Sequence, residues 1–285
     1  MPLRYNTDGV ATRAGVTQSQ ASMSPTPAAR PLPTNIDEVV ARLDGIVQDG
    51  IDTGSRLGYF GALYNRVTKA VRTGIRSRAF EDNARMERLD VIFANRYIDA
   101  YDRQARGETH TLSWQTTFSA APRSDLSVLQ HLLLGMNAHI NLDLGIAAAT
   151  VSPGSQLDSL HGDFDRINEV LGSLLPTVEA QLREMSPKLD VLSGVAHGAN
   201  RLDERIGNFS MEKARDAAWR FARRLASLDS QTLRTIDIAA RDSVTAVLAL
   251  KIQEPGPKSE LMGGADSAEV AAHIRILARH DDANP

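Results

Sequence analysis

Residues 125–151, Asp-Leu-Ser-Val-Leu-Gln-His-Leu-Leu-Leu-Gly-Met-Asn-Ala-His-Ile-Asn-Leu-Asp-Leu-Gly-Ile-Ala-Ala-Ala-Thr-Val, constrain the fold more than any other stretch of the chain. The segment is apolar nearly all the way round, which places a helix inside the protein rather than on its surface. It nevertheless carries Gln130, His131, Asn137, His139, Asn141 and Asp143. Polar side chains in a buried helix lose their hydration and must replace it with hydrogen bonds, ions or a ligand. Any functional centre is therefore expected around this helix. At about 100° per residue, His139 and Asp143 sit one turn apart on the same side, and Gln130, Asn137 and Asn141 form a second line roughly opposite. His131 is about 12 Å from His139 along the axis, too far for both to ligate one ion directly.

The rest of the chain supplies helices to surround it. Thr34 or Asn35 can cap a helix with Val39, Val40, Leu43 and Ile46 on one face. Helical spacing of Tyr59, Phe60, Leu63, Tyr64, Val67 and Val71 predicts a second helix over about 57–77. Leu89, Ile92, Phe93, Tyr97 and Tyr101 mark the core stripe of a third over about 81–106. A short helix is expected at Ser113–Gln115, and Ser124 or Asp125 can cap the central helix. Ser152-Pro153-Gly154-Ser155 stops that helix and returns the chain into one from about Gln156 toward Arg183, with a kink expected at Pro176. After an irregular stretch to Asn208, Ser210 caps a helix through Phe221 and Leu225, and another covers about 230–252.

No stretch alternates apolar and polar residues with period two, so the expected class is all-α: a single-domain bundle built around a buried central hairpin. Residues 1–34, rich in Pro, Ser, Thr, Ala and Gln, read as a disordered leader. The helical domain covers 35–254, and 255–285 reads as a mobile or loosely docked tail with an amphipathic patch near 270–277. A net charge of -3 and the lack of any dense basic block argue against a nucleic-acid scaffold partner. Zero cysteines leave any metal to His, Asp, Glu and water. His139, Asn141 and Asp143 interrupt the apolar run, so it is not read as a membrane span, and a soluble, cytoplasmic protein is expected.

Reflection through the turn near Pro153 sets Asp143 level with residue 163 and His139 level with 167, so that His161, Asp165 and Asn168 come within reach. Two His-x-x-x-Asp pairs, His139/Asp143 and His161/Asp165, would make a nitrogen and oxygen set suited to a divalent metal: zinc, iron or manganese. Three readings follow. In the first, a small-molecule enzyme hydrolyses an ester or phosphoester with that metal. The catalytic set is then His139, Asp143, Asn137, Asn141 and Arg96, with Tyr97, Asn168, Trp219 and Arg220 lining the substrate. In the second, His139 and Asp143 form a metal-free acid/base pair for a cyclase or isomerase acting on an apolar substrate. In the third, the polar groups form a satisfied network in a ligand-binding or structural protein.

The block from His131 to Gly145, with Phe93-Ala-Asn-Arg-Tyr97 before it and Asp163-Phe-Asp-Arg-Ile-Asn168 and Asn208-Phe-Ser210 through Trp219 after it, resembles a bacterial family catalogued as a domain of unknown function. The likeness covers about 35–230. It implies that Asn137, His139, Asn141, Asp143, Asp163 and Asn168 share a polar centre, and it carries no activity to transfer. The order His131, His139, His161, Asp165 is also similar to the ligand helices of zinc-dependent phospholipase C and single-strand nucleases. That pattern has Asp where this chain has Gly135, and its amino-terminal Trp ligand has no counterpart here, so no trinuclear site is implied.

Overall fold

A computed structural model describes residues 29–185, 211–254 and 265–279, and these are all-α, with no strand among them. Asn35 caps α1 (Ile36–Thr53), its side chain accepting from the Glu38 amide. The chain then turns through Gly54, whose φ of 60° lies in the left-handed region that favours glycine, into α2 (Leu57–Arg76). Asp82 caps α3 (Asn83–Arg106). A short α4 (Leu112–Ser119) follows, its first two amides bound by the Asp242 carboxylate at 2.7 and 2.9 Å.

The central segment starts at Ser127, not at Ser124 or Asp125: Ser127 and Gln130 form a reciprocal capping box. It runs as α5 (Val128–Ala138), widens into a π-helical turn over His139–Leu144, and ends as α6 (Gly145–Val151). By length and apolarity Val128–Val151 could cross a membrane, yet 83% of its most apolar window is buried inside this protein. A 3-10 segment (Gly154–Leu160) leads into α7 (His161–Met185), which continues through Pro176. Beyond lie α8 (Met211–Ala226), α9 (Gln231–Ile252) and α10 (Ser267–Ala278). The irregular stretch and the Ser210 cap expected from the sequence fall outside the described residues.

Three large apolar clusters, and a small fourth one around Leu126, Leu134 and Ala249, surround the central segment. One joins α1 to α4 around Phe60, Tyr97 and Trp114; one joins α3, the π turn, α6 and α8; one joins α2, α5, the end of α7 and α10. Close approach is allowed where the central segment has glycine: a Cβ at Gly135 would collide with the Phe60 ring, and one at Gly145 would lie 2.7 Å from Phe221. Gly135 thus fits tight packing, not a lost metal ligand.

Two expectations need correction. The hairpin arms do not pack along their lengths. α8 lies against α6 and the π turn, while α7 rests mainly on α2 and α10, and a cavity separates α7 from α5. The tail is also more than a loose appendage, because Val270, Ile274 and Leu277 of α10 are buried against α1, α2 and α7. Its amphipathic patch covers apolar surface that those helices would otherwise expose. α9 differs from its neighbours in leaving Leu233, Ile236, Val244, Val247 and Leu250 exposed among the described residues.

Candidate functional site

His139 and Asp143 both stand in the π turn, where the backbone is wider than in an α-helix and a change in side-chain direction is built in. Arg241 supports the turn by donating from Nε to the Asn141 carbonyl at 2.7 Å. Asp143 is fully buried, with every contact donated by a named partner. Arg96 Nε lies 2.6 Å from Oδ1, Trp114 Nε1 2.8 Å from Oδ2, and His139 Nδ1 3.4 Å from Oδ2. Burial by itself would raise the carboxyl pKa. The Arg96 cation, His139 and the Trp114 donor outweigh it and hold Asp143 below the usual carboxylate range. Asp143 is therefore an ion.

His139 is pushed the other way. Burial lowers its pKa, and the opposing pull of Asp143 does not restore it, so the imidazole is neutral near pH 7. A neutral ring has one N–H, and the carboxylate beside Nδ1 places the proton there. Nε2 is left with its lone pair. It is buried and has no hydrogen-bond partner among the described residues. The ring itself is fixed by aromatic neighbours: Phe93 stacks on it at 3.6 Å between centroids, and Tyr64 meets it edge-on at 4.4 Å.

His139 lines a cavity of about 790 Å³, within the span of about 300–1,000 Å³ usual for small-molecule sites. Its walls are chiefly apolar, with Leu132, Leu133 and Met136 from α5 and Ile167, Leu171 and Leu174 from α7. Against that background a few polar groups on the wall stand out. The Tyr64 hydroxyl is buried beside that of Thr68, and burial raises its pKa so that it keeps its proton. Asp90 reaches the wall from α3 with Oδ2 unpartnered, and burial, aided by the nearby Glu87 charge, pushes its carboxyl up to about 7.

The structure sorts the sequence candidates. Arg96 acts on Asp143 from behind and does not line the cavity. Tyr97 is buried against Phe60 and Trp114, in the layer behind His139. Asn137 and Asn141 point the other way: Asn137 Nδ2 donates to the Thr245 carbonyl at 2.9 Å, and Asn141 Nδ2 donates to Asn137 Oδ1 at 3.0 Å. They join the central segment to α9. Asn168 does line the cavity, with Oδ1 unpartnered. Trp219 packs on His161 and Phe164, and Arg220 is exposed, so neither lines it. Asp163 binds the Glu81 and Asp82 amides and Arg85, tying α7 to the start of α3.

The proposed metal set does not assemble. His161 and Asp165 are about half exposed and lie 3.5 Å from each other, while His139 and Asp143 are buried. No group of three or more His, Cys, Asp or Glu side chains converges among the described residues. The reflection failed because it assumed arms in contact and a uniform helical pitch; Asp143 instead faces α3 and α4.

Sequence reasoning passed over Asp90, Tyr64 and Arg215 as site residues. Signals for two of them existed. Asp90 sits between Leu89 and Val91 in the core stripe of α3, and Arg215 precedes Ala218, Trp219 and Ala222 by helical spacings that put it on the buried face of α8.

Fold and site together define an all-α domain holding an apolar cavity with a buried histidine, backed by Asp143, on its wall. Residues 36–255 match a family of unknown function (DUF5995), and the chain belongs to that family. No curated protein and no solved structure matches the chain.

Proposed function

We propose that this protein is a metal-free acid/base enzyme acting on an apolar small molecule, with His139 as the base. One observation carries the reading: a neutral histidine, oriented through Nδ1 by an ionised Asp143 and left without a partner at its buried Nε2, stands in the wall of a cavity able to hold a ligand. Asp143 then stabilises the imidazolium formed when Nε2 takes a proton. Asp90, whose carboxyl keeps its proton to about pH 7 on the same cavity wall, is suited to the role of acid. In an isomerisation or cyclisation, Nε2 removes a proton from carbon next to a carbonyl, and the C–H electrons form the C=C bond of an enol. The carbonyl oxygen takes the Asp90 proton. In an isomerisation the imidazolium proton goes to a different carbon and the enol O–H returns its proton to Asp90. In a cyclisation the enol carbon attacks a second carbonyl carbon, whose oxygen takes the imidazolium proton while the enol O–H returns its proton to Asp90. Both groups are thereby restored.

Metal-assisted hydrolysis by His139, Asp143, His161 and Asp165 has less support. Both Asp143 oxygens are already engaged by the donors that hold it ionised, and the second pair lies at the surface.

The test is deuterium incorporation next to the carbonyl of long-chain and aryl ketones in heavy water, read by mass spectrometry. Wild-type protein is expected to accelerate exchange, and His139→Gln to lower the rate by about 10²–10⁴. Exchange unaffected by His139→Gln would overturn the assignment, and ketone binding with no exchange would reassign the cavity to a carrier.

A further inference from the structure

The acid/base reading makes no use of Arg215. This residue is only 4% exposed, belongs to α8 and lines the same cavity. One guanidinium nitrogen donates to the Phe164 carbonyl, and the guanidinium carbon lies 4.4 Å from the centre of the Phe164 ring. Nε has no partner among the described residues. Asp165 and Asp216 act on Arg215 only through space, and although burial depresses its pKa to about 10, it stays a cation near neutrality. No carboxylate among the described residues closes on it at ion-pair distance, and a buried charge so placed is costly. Asn168, on the α7 side, adds a second polar group, its Oδ1 also unpartnered. Rotating its amide by half a turn would offer N–H instead.

We propose that Arg215 binds a carboxylate, and that the cavity takes a long apolar molecule with one carboxylate end, its chain lying over Leu132, Leu133 and Met136. The planar guanidinium suits a carboxylate, and the apolar walls suit the chain. A more highly charged head is opposed by Glu169 and Glu212, exposed residues that also border the cavity. The inference rests on the cavity being the substrate site and names the class of molecule that fills it.

The probe is cis-parinaric acid, a polyene fatty acid that fluoresces on entering apolar surroundings, compared with its methyl ester on the full chain. Wild-type protein is expected to bind the acid about tenfold or more tightly over the ester. Arg215→Gln should remove that preference with ester affinity unchanged, Arg215→Lys should keep part of it, and Leu133→Trp, which fills the cavity, should abolish binding of both. Equal affinity for acid and ester in the wild type would overturn the carboxylate assignment and leave the acid/base reading standing; this comparison decides the matter even if Arg215→Gln does not fold. Binding that survives Leu133→Trp would place the probe elsewhere and overturn the cavity as its site. Loss of ketone exchange in His139→Gln bears on the base alone.

Discussion

The two polar lines of the central segment, one of neutral amides and one of titratable groups, meet opposite fates. On one side, Gln130, Asn137 and Asn141 hydrogen-bond to α9 and the residues just beyond it, and to each other: Gln130 Nε2 reaches the Ile252 carbonyl at 2.9 Å, and Arg241 closes on Asn141. On the other, Asp143 is bonded through both oxygens, whereas His139 is bonded through Nδ1 alone and its buried Nε2 has no partner among the described residues. A buried amide with its bonds complete holds helices in register. A buried base with an unpartnered lone pair on a cavity wall is the group that the proposed reaction uses.

Substitutions can break this contrast. The largest effect is expected at Asp143, although it faces away from the cavity. Asp143→Ala removes the partner of Arg96, Trp114 and His139 at once, and should cost about 3–5 kcal/mol, toward the lower figure because Arg96 is about a quarter exposed. Urea unfolding measures it; a loss below about 1 kcal/mol would show that the ion pair does not hold the π turn.

Asp90 should come next, and its sign depends on pH. Folded Asp90 keeps its proton up to about pH 7, whereas the unfolded carboxyl releases it near pH 4, so its contribution to stability is present at low pH and declines as pH rises through 7. Asp90→Asn cannot ionise. The variant should therefore gain on the wild type between pH 4 and 8, by up to roughly 4 kcal/mol at the upper end. Parallel unfolding midpoints across that range would show an Asp90 carboxyl with an ordinary pKa.

Asn137→Ala tests the other line. It strands the Thr245 carbonyl and the Asn141 amide, and should cost about 1–3 kcal/mol while leaving ketone exchange per folded molecule unchanged. A loss of exchange at full folding would erase the distinction between the two lines. The smallest effect belongs to His161→Ala, which removes half of an exposed pair and should change stability by less than about 0.5 kcal/mol. An added divalent metal that stabilises the wild type but not His161→Ala would revive the metal reading.

Much of this was legible in the chain. Buried polar residues in an apolar helix located the centre, and the separation of Asn137 and Asn141 from His139 and Asp143 followed from helical pitch alone. The pairing of His139 with Asp143 and the approach of Arg96 were likewise within reach of one-dimensional spacing and charge. The second His/Asp pair was not, because equal spacing on α7 said nothing of how far α7 stands from α5. Asp90 and Arg215 were visible as charges on core faces, but their lack of partners was not.

Periodicity, caps and breakers by themselves determined an all-α chain, the placement of its helices and the burial of its central one, since these depend on contacts a few residues apart and on the cost of hydrating apolar surface. Only the tertiary structure decided which buried polar groups are satisfied, where the π turn aims His139, and that the hairpin arms leave room for a ligand. Those outcomes depend on packing between helices distant in sequence, where a displacement of a few ångströms decides whether a hydrogen bond is made and whether a cavity opens.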